Sequence, residues 1–379
     1  MKTTLLTLML AVIWPISAQR KTEIIESKKL NASREVTIVT PASYETNKKK
    51  EYPLLVLLDG DYLLDPFAGT LSYTEYWNDL PEVIIVAINQ NNDEERTLDT
   101  QTDDHGVPMD RGDKFFEFLS SELMPMIEKK YRVSPFRIIA GHGLTAGYIN
   151  FFLYKEKPLF NAYICMSPDM PVDMENRIPE RLTQIQRPTY YYLATAEGDV
   201  PRLQKPIKTL NDNIKAVTNQ GLKYMFEDFK GCSHYSLVVH AIPESLYHIF
   251  SSYQPISSTE YQEKIVKLTS GYAKYLEQRY DVMEKDLGVK IPVRLNDLKA
   301  IEAAIIKNGA YTELRELSDI AEKNYPKTTL GDYYTGLYYE KTGDNKKAIK
   351  AYMHSYTLDE IGEYTKDFML EKAEKLKAR

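Results

Sequence analysis

The 379-residue sequence has little of several features that define whole classes of protein. It has only two cysteines, Cys165 and Cys232, which permit at most one disulfide and which we interpret as buried or isolated thiols, so a scaffold held by several disulfides is excluded. It contains no C-x-x-C or H-E-x-x-H motif, and its six histidines lack ligand-like spacing, so neither a metal nor a cofactor is expected. Its net charge of −6 argues against a nucleic-acid partner.

The only long apolar run lies at the N-terminus, from Leu5 to Trp14. A lysine precedes this run, and small residues follow it up to Ala18, immediately before Gln19. This order is typical of a secretory signal peptide, and the run is too short to span a bilayer. We therefore expect residues 1–18 to be removed and the chain to be exported without a transmembrane segment.

Between residues 23 and 253, strand-like and helix-like segments alternate. Seven short runs rich in Val, Ile, Leu and Tyr are bounded by turn residues: 34–40, 53–59, 82–89, 136–140, 161–166, 189–195 and 223–229. Several are continuous apolar blocks, as expected for strands buried on both faces of a parallel sheet. The pattern predicts an α/β fold with a mostly parallel sheet covered by helices on both faces, and sites at the carboxyl ends of its strands.

The composition changes after residue 253, where the strand signals end. We predict a helical linker at residues 254–292 and a small tetratricopeptide-like helical domain at residues 293–379. Gly309 and Gly343 are 34 residues apart, which is the tetratricopeptide period. Only two such units are present, so two interpretations stay open: the helices bind a protein partner, or they pack on the preceding domain.

Residues 139–147 resemble the G-x-S-x-G nucleophile elbow of serine hydrolases, but the serine position is Gly143 and the small residue expected two positions later is Thr145. The elbow is a tight strand-to-helix turn that presents a hydroxyl next to backbone N–H groups able to hold an oxyanion. Glycine has no hydroxyl but tolerates strained backbone angles. The substitution therefore removes the nucleophile and keeps the turn. Thr145 is expected in the first turn of the following helix, where its hydroxyl would serve in capping or at the surface.

The chain resembles the esterase D and enterochelin-esterase-like branch of the α/β-hydrolases, in particular exported bacterial members with a helical, repeat-like tail. The stretches that carry the resemblance are 52–60, 96–100, 115–131, 137–147, 160–168 and 233–236. The resemblance implies an α/β-hydrolase domain over residues 19–253. Members of the branch typically hydrolyse esters of sugars, ferulic acid or siderophores with a Ser, Asp or Glu, His triad.

Carried over residue by residue, the resemblance implies a remnant triad. The base is His234, the acid is Asp199 with Glu197 as the alternative, and Gly143 holds the nucleophile position. The implied oxyanion donors are the backbone N–H of Leu144 and one N–H just after Gly60, at either Asp61 or Tyr62. Two further residues, Arg96 and Asp99, match a family motif beside the pocket, although an exposed ion pair explains them equally well.

These observations predict a pseudoenzyme that acts as a binding or assembly component of the bacterial cell envelope, in the periplasm, at the outer membrane or secreted. A small ester-like or sugar ligand would bind the pocket, and a protein partner would bind the C-terminal helices. The alternative is an active carboxylesterase that uses a non-standard nucleophile, either Thr145 or a water activated by His234. A third hypothesis is a peptide-binding repeat module in which the hydrolase domain has no role of its own.

Overall fold

The computed structural model describes residues 19–90, 93–288 and 290–378. The predicted signal peptide, residues 1–18, lies outside the described residues. The described chain divides into two compact units. The first contains residues 19–72 and 82–245, and the second contains residues 73–81 and 246–378.

An eight-stranded sheet forms the centre of the first unit. Its strands are β1 (Gln19–Ser27), β2 (Ala32–Thr40), β3 (Tyr52–Leu57), β4 (Ile84–Ile88), β5 (Val133–His142), β6 (Ala162–Met166), β7 (Thr189–Gly198) and β8 (Leu222–Ser233). The spatial order is β1-β2-β4-β3-β5-β6-β7-β8. Strand β2 pairs antiparallel with both of its neighbours, β1 and β4, and the remaining pairs in this order, from β4 to β8, are parallel. The predicted mostly parallel sheet is therefore confirmed.

Burial explains which strands the sequence reveals. Every residue of β3 and of β4 is buried, which accounts for their continuous apolar sequences. The sequence did not predict β1, because most of its side chains are exposed and no apolar periodicity marks it.

Eight α-helices follow or connect these strands. They are α1 (Gly60–Tyr76), α2 (Asp93–Asp99), α3 (Asp110–Glu117), α4 (Met124–Lys130), α5 (Leu144–Tyr148), α6 (Met174–Gln184), α7 (Pro201–Lys215) and α8 (Leu237–Ile249). A π-helical turn, Phe118–Leu123, joins α3 to α4. Apolar side chains along this joined helix are at most 1% exposed at Phe115, Leu119 and Ile127, so it buries the face predicted from their spacing.

The second unit is helical. Its helices after α8 are α9 (Ser258–Glu260), α10 (Tyr272–Leu287), α11 (Leu295–Asn308), α12 (Leu314–Asn324), α13 (Thr329–Thr342), α14 (Asn345–His354) and α15 (Lys366–Lys377). Gly309 and Gly343, which define the 34-residue period, end α11 and α13 with left-handed φ angles of 69° and 87°. The helical C-terminal region is confirmed, whereas the tetratricopeptide assignment stays a prediction.

Two further findings bear on the sequence analysis. In the described part of the chain, no helix is long and apolar enough to cross a membrane. Cys165 and Cys232 are both buried and unpaired, as expected.

Candidate functional site

Gly143 lies at the turn between β5 and α5, with φ 60° and ψ −119°. This φ is left-handed and favours glycine. Backbone bonds hold the turn: the Gly143 N–H donates to the Met166 carbonyl (3.0 Å), and its carbonyl accepts from the Asp169 N–H (2.9 Å). A Cβ atom at position 143 would lie 3.7 Å from His234 Nε2 and 3.4 Å from Arg96 Nη2. The serine position of the elbow pattern therefore lies next to the His234 imidazole and the Arg96 guanidinium.

His234, which follows β8, is paired with Asp199, which follows β7. Its Nδ1 lies 2.8 Å from Asp199 Oδ1. The same carboxylate accepts from Thr195 Oγ1 (2.8 Å) and from the Val200 N–H (2.7 Å). Burial would raise the pKa of Asp199, but hydrogen bonds from His234 and from the neighbouring hydroxyl and amide groups lower it to about 2. An ionised Asp199 keeps the ring proton on Nδ1, so Nε2 is the acceptor that faces Gly143.

The structure separates the two candidate acids. Asp199 contacts His234, whereas Glu197 accepts a hydrogen bond from the Gly231 N–H (3.0 Å) and has an exposed side chain. The structure also adds Ser167, whose Oγ lies 3.0 Å from His234 Nδ1. Ser167 directly follows β6, is fully buried and has a φ of 46°. Its place just after an apolar strand was the only sequence signal that could have identified it.

His142, the residue before Gly143, positions the loop that carries His234. The two imidazole rings lie 4.4 Å apart, and His142 Nε2 is 3.0 Å from the His234 carbonyl oxygen. Its Nδ1 is 3.1 Å from the Tyr62 hydroxyl. Burial, together with the nearby His234, lowers the pKa of His142 to about 4. His142 is therefore neutral at neutral pH and carries one ring proton. We assign this proton to Nε2, which then donates to the His234 carbonyl.

Asp59 is the centre of a second network beneath the elbow. Its buried carboxylate accepts from Arg96 Nε (2.6 Å) and Nη2 (3.1 Å), from Thr145 Oγ1 (2.6 Å) and from the Tyr62 hydroxyl (2.9 Å). Arg96 Nη2 also donates to the His142 carbonyl (2.6 Å). This network ties the end of β3 to the end of β5.

The network corrects two expectations. Thr145 is fully buried and does not lie at the surface, because its hydroxyl donates to Asp59 and accepts from the His142 N–H (2.9 Å). Arg96 and Asp99 do not form an exposed ion pair with each other. Asp99 is instead buried and bonded to Arg34 Nη2 (2.7 and 2.9 Å).

The three residues named as candidate oxyanion donors differ in their hydrogen-bond partners. Leu144 is the first residue of α5, so its N–H has no helical partner four residues earlier. The Tyr62 N–H is already donated to the Asp59 carbonyl (3.2 Å), and Tyr62 reaches the site through its hydroxyl. Asp61 lies in the first turn of α1, where its carboxylate accepts from the Gln90 N–H (2.8 Å).

The site therefore holds an imidazole bonded to an ionised carboxylate, and Gly143 next to the imidazole has no side chain. Within the described residues, the hydroxyl group that is hydrogen-bonded to the His234 ring belongs to Ser167, and it lies on the Nδ1 side. No group of three His, Cys, Asp or Glu side chains in residues 19–90, 93–288 and 290–378 is arranged to hold a metal ion.

Residues 27–178 match the protein-family model described as "Putative esterase". This segment of the chain is therefore similar to that family. A search of curated proteins finds no match to the sequence.

Solved structures support the fold of this chain. An uncharacterised protein from Capnocytophaga ochracea is 29% identical, with a TM-score of 0.85 over 95% of this chain and 100% of that chain, so the likeness extends into the helical C-terminal region. An IroE-like serine hydrolase from Shewanella oneidensis is 19% identical, with a TM-score of 0.60 over 80% of this chain and 99% of that chain. The BES protein from Bacillus cereus is 19% identical, with a TM-score of 0.53 over 65% of this chain and 97% of that chain. At these two lower identities the likeness concerns the fold alone.

Proposed function

We propose that this chain is a pseudoenzyme: it binds a ligand at the elbow but does not form an acyl-enzyme. The observation that carries the proposal is Gly143, which occupies the serine position with elbow geometry and faces His234 Nε2 without a hydroxyl. A base and a carboxylate have no side chain to activate there. Loss of the serine from a working triad costs about six orders of magnitude in turnover.

The other hydroxyl groups of the site support the same proposal. Thr145 is buried, and its hydroxyl donates to Asp59, away from the imidazole. Ser167 lies on the Nδ1 side of His234, where the ring meets Asp199. Neither hydroxyl is placed to replace the missing nucleophile.

Exposed rings beside the elbow support a ligand-binding role. Tyr235 is 79% exposed, and its ring centre lies 5.1 Å from that of His234. Tyr62 is 45% exposed, and its ring centre lies 5.9 Å from that of His142. Aromatic side chains with polar tips suit a small ligand that has both apolar and polar faces. We therefore propose that the ligand is ester-like or a sugar.

The test is an activity screen of the purified protein with short-chain nitrophenyl esters and a fluorophosphonate probe. We expect no covalent labelling, and turnover no higher than that of His234→Ala. Labelling of the wild-type chain would overturn the proposal, and its loss in Thr145→Val would identify Thr145 as the nucleophile.

One observation favours a second candidate function, which is slow hydrolysis by a water molecule. Because Asp199 is ionised, His234 Nε2 is free to accept a proton from a water near Gly143. The water oxygen would attack the ester carbonyl while its proton moves to Nε2, and the leaving alkoxide would take that proton. Turnover that occurs without labelling and disappears in His234→Ala would establish this function in place of the first.

We also propose that the chain works in the bacterial cell envelope and that its C-terminal helices bind a protein partner. The N-terminal sequence supports export, because residues 1–18 have the order of a signal peptide. The full chain, expressed in a bacterial host and recovered from the periplasm or medium, should begin at Gln19. Retention of residues 1–18 in a cytoplasmic product would contradict export.

A further inference from the structure

Three large aromatic side chains are exposed together at the end of α1 and in the turn that follows. Tyr73 is 67% exposed, Tyr76 is 76% exposed and Trp77 is 60% exposed. Tyr73 and Tyr76 are three residues apart on α1 and therefore share a face of that helix, and Trp77 directly follows its end. The Tyr76 and Trp77 rings are in edge contact, with centres 5.0 Å apart. We name Tyr73, Tyr76 and Trp77 the aromatic patch.

A second segment of the same unit fixes the surroundings of the aromatic patch. Tyr247 of α8 donates its hydroxyl to Asp79 Oδ2 (3.1 Å), which holds this carboxylate two residues after Trp77. Tyr73 lies close enough to help raise the pKa of Tyr247, although burial and Asp79 contribute more. Leu80 is only 2% exposed and anchors the turn. The patch is thus a supported surface with a carboxylate at its edge.

The exposure of the aromatic patch needs a physical reason. Burial of a large apolar side chain contributes about 1.5–3 kcal/mol, so three adjacent exposed rings forgo a substantial stabilisation. Trp77 is also the only tryptophan among the described residues. Grouped exposed aromatic side chains mark binding surfaces, in which Tyr and Trp contribute most of the energy.

The charged residues of the chain segment that carries the aromatic patch indicate the kind of ligand. No lysine or arginine occurs between residues 51 and 95, whereas Glu75 and Asp79 lie within the patch segment. Anionic membranes and nucleic acids are bound by basic side chains, and amphipathic helices are bound in hydrophobic grooves. Leu80, the one aliphatic side chain of residues 73–81, is buried. What remains exposed is flat rings next to acidic and amide groups.

We propose that the aromatic patch is a binding site for a neutral polysaccharide. Sugar rings present flat C–H faces that stack on Tyr76 and Trp77, and their hydroxyl groups donate to oxygens such as those of Asp79 and Asn78. An acidic surface repels uronic acids and sulfated sugars, which restricts the ligand to uncharged chains. The proposal stands apart from the elbow, because none of these residues belongs to the network around Gly143.

The test is calorimetric titration of the full chain with cellohexaose, xylohexaose, laminarihexaose and maltohexaose. We expect saturable binding of at least one of them, with a change in tryptophan emission that is absent in Trp77→Phe. Tyr76→Ala and Trp77→Ala should weaken binding at least tenfold, whereas Tyr76→Phe keeps the ring and should retain it. The matched control is Tyr356→Ala, which removes an equally exposed ring (62%) of the same unit and should bind like wild type.

Three results would overturn the proposal. The first is that none of the four hexasaccharides binds. The second is that one binds but is unaffected by Tyr76→Ala and Trp77→Ala, given that circular dichroism shows both variants to be folded. The third is that the patch variants lose binding to phosphatidylcholine and phosphatidylglycerol vesicles while no sugar binds, which would identify a lipid surface as the ligand. The patch variants should label with the fluorophosphonate probe no more than wild type, so this test is independent of the proposed function.

Discussion

The two sides of the candidate site differ in the direction of their polar groups. On the base side, Asp199 and Ser167 converge on His234, so the imidazole is held with Nε2 facing the elbow. On the elbow side, Thr145 and Arg96 both converge on Asp59, beneath the turn. The polar groups of one side orient an imidazole, and those of the other side hold a backbone turn.

This difference shows why the nucleophile can be absent while the fold stays intact. The elbow side is stabilised by a buried ionic network that does not use the residue at position 143. Glycine at that position also has no strain at a φ of 60°, where any other residue would have some. Stability and chemistry are therefore separable at the elbow. Substitution of Gly143 tests the chemistry, and substitution of Arg96 tests the stability.

The largest effect is expected from Gly143→Ser. The new Cβ would lie 3.7 Å from His234 Nε2, which brings the hydroxyl within reach of the base. If the base side is competent, hydrolysis of nitrophenyl esters should rise about a thousandfold over wild type, part of the roughly six orders that a triad serine supplies. The measurement is kcat/KM together with fluorophosphonate labelling.

The matched control is Gly143→Ala, which has the same backbone strain and no hydroxyl. It should remain inactive and unlabelled, and both variants should lose about 1–2 kcal/mol of stability to the strained φ. A Gly143→Ser variant that is folded but inactive would mean that His234 and Asp199 cannot activate a serine at position 143. The proposed difference between the base side and the elbow side would then be contradicted.

The second effect is on stability, from Arg96→Ala. This change leaves the Asp59 carboxylate buried without its ionic partner. Removal of one partner of a buried pair costs 3–5 kcal/mol, and the partial exposure of Arg96 favours the lower end, about 3 kcal/mol. Urea denaturation measures the change in the free energy of unfolding.

Arg202→Ala provides the comparison for that measurement. Arg202 forms the same two-point contact with Asp169, at 2.8 and 2.7 Å, but its side chain is 68% exposed. An exposed pair contributes at most about 1 kcal/mol. Equal losses in the two variants would show that the Asp59 network does not stabilise the elbow more than a surface pair does.

The sequence predicted the parts of the fold and site that leave a pattern along the chain. Buried parallel strands such as β3 are continuous apolar runs, and the elbow has a fixed spacing, so both were identified. The edge strand β1 was missed because its exposed side chains carry no apolar periodicity. The placement of Asp199, and not Glu197, at the imidazole agrees with the preferred candidate, although their two-residue separation alone could not decide it.

Contacts between distant segments could not be predicted in the same way. Asp59 and Thr145 are 86 residues apart, and only the pairing of β3 with β5 brings them within 2.6 Å. The direction of the Thr145 hydroxyl depends on that buried carboxylate, so a surface role was a reasonable but wrong expectation. The partners of Arg96 and Asp99 were missed for the same reason, because each bonds to a residue on another element.

The third effect concerns His142, whose folded pKa of about 4 lies below the unfolded value near 6.5. Below pH 6.5 the unfolded chain takes up a proton that the folded chain does not, so stability is full above that pH and falls as the pH decreases. Between pH 7.5 and 5 this single group should remove about 2 kcal/mol. We expect His142→Gln, which retains a donor for the His234 carbonyl, to reduce the measured loss by that amount in urea denaturation at the two pH values.

The control for this prediction is His240→Gln, because His240 is exposed on α8. This variant should show the same loss of stability between pH 7.5 and 5 as wild type. If His142→Gln also shows the wild-type loss, then His142 is protonated in the folded chain near neutral pH and does not hold the loop as a neutral donor.

The smallest effect is expected at Asp199, on the base side. Its folded pKa of about 2 is lower than the unfolded value near 3.9, so ionised Asp199 stabilises the fold above about pH 4, and this contribution is lost as the pH falls toward 2. Between pH 5 and 3 the loss should be about 1 kcal/mol. Asp199→Asn removes the charge, and its free energy of unfolding should therefore fall by about 1 kcal/mol less than that of wild type over this range. Equal acid dependence in the two proteins would mean that His234 and its neighbours do not hold a charged carboxylate, and the base side would then be no better arranged for proton transfer than the elbow side.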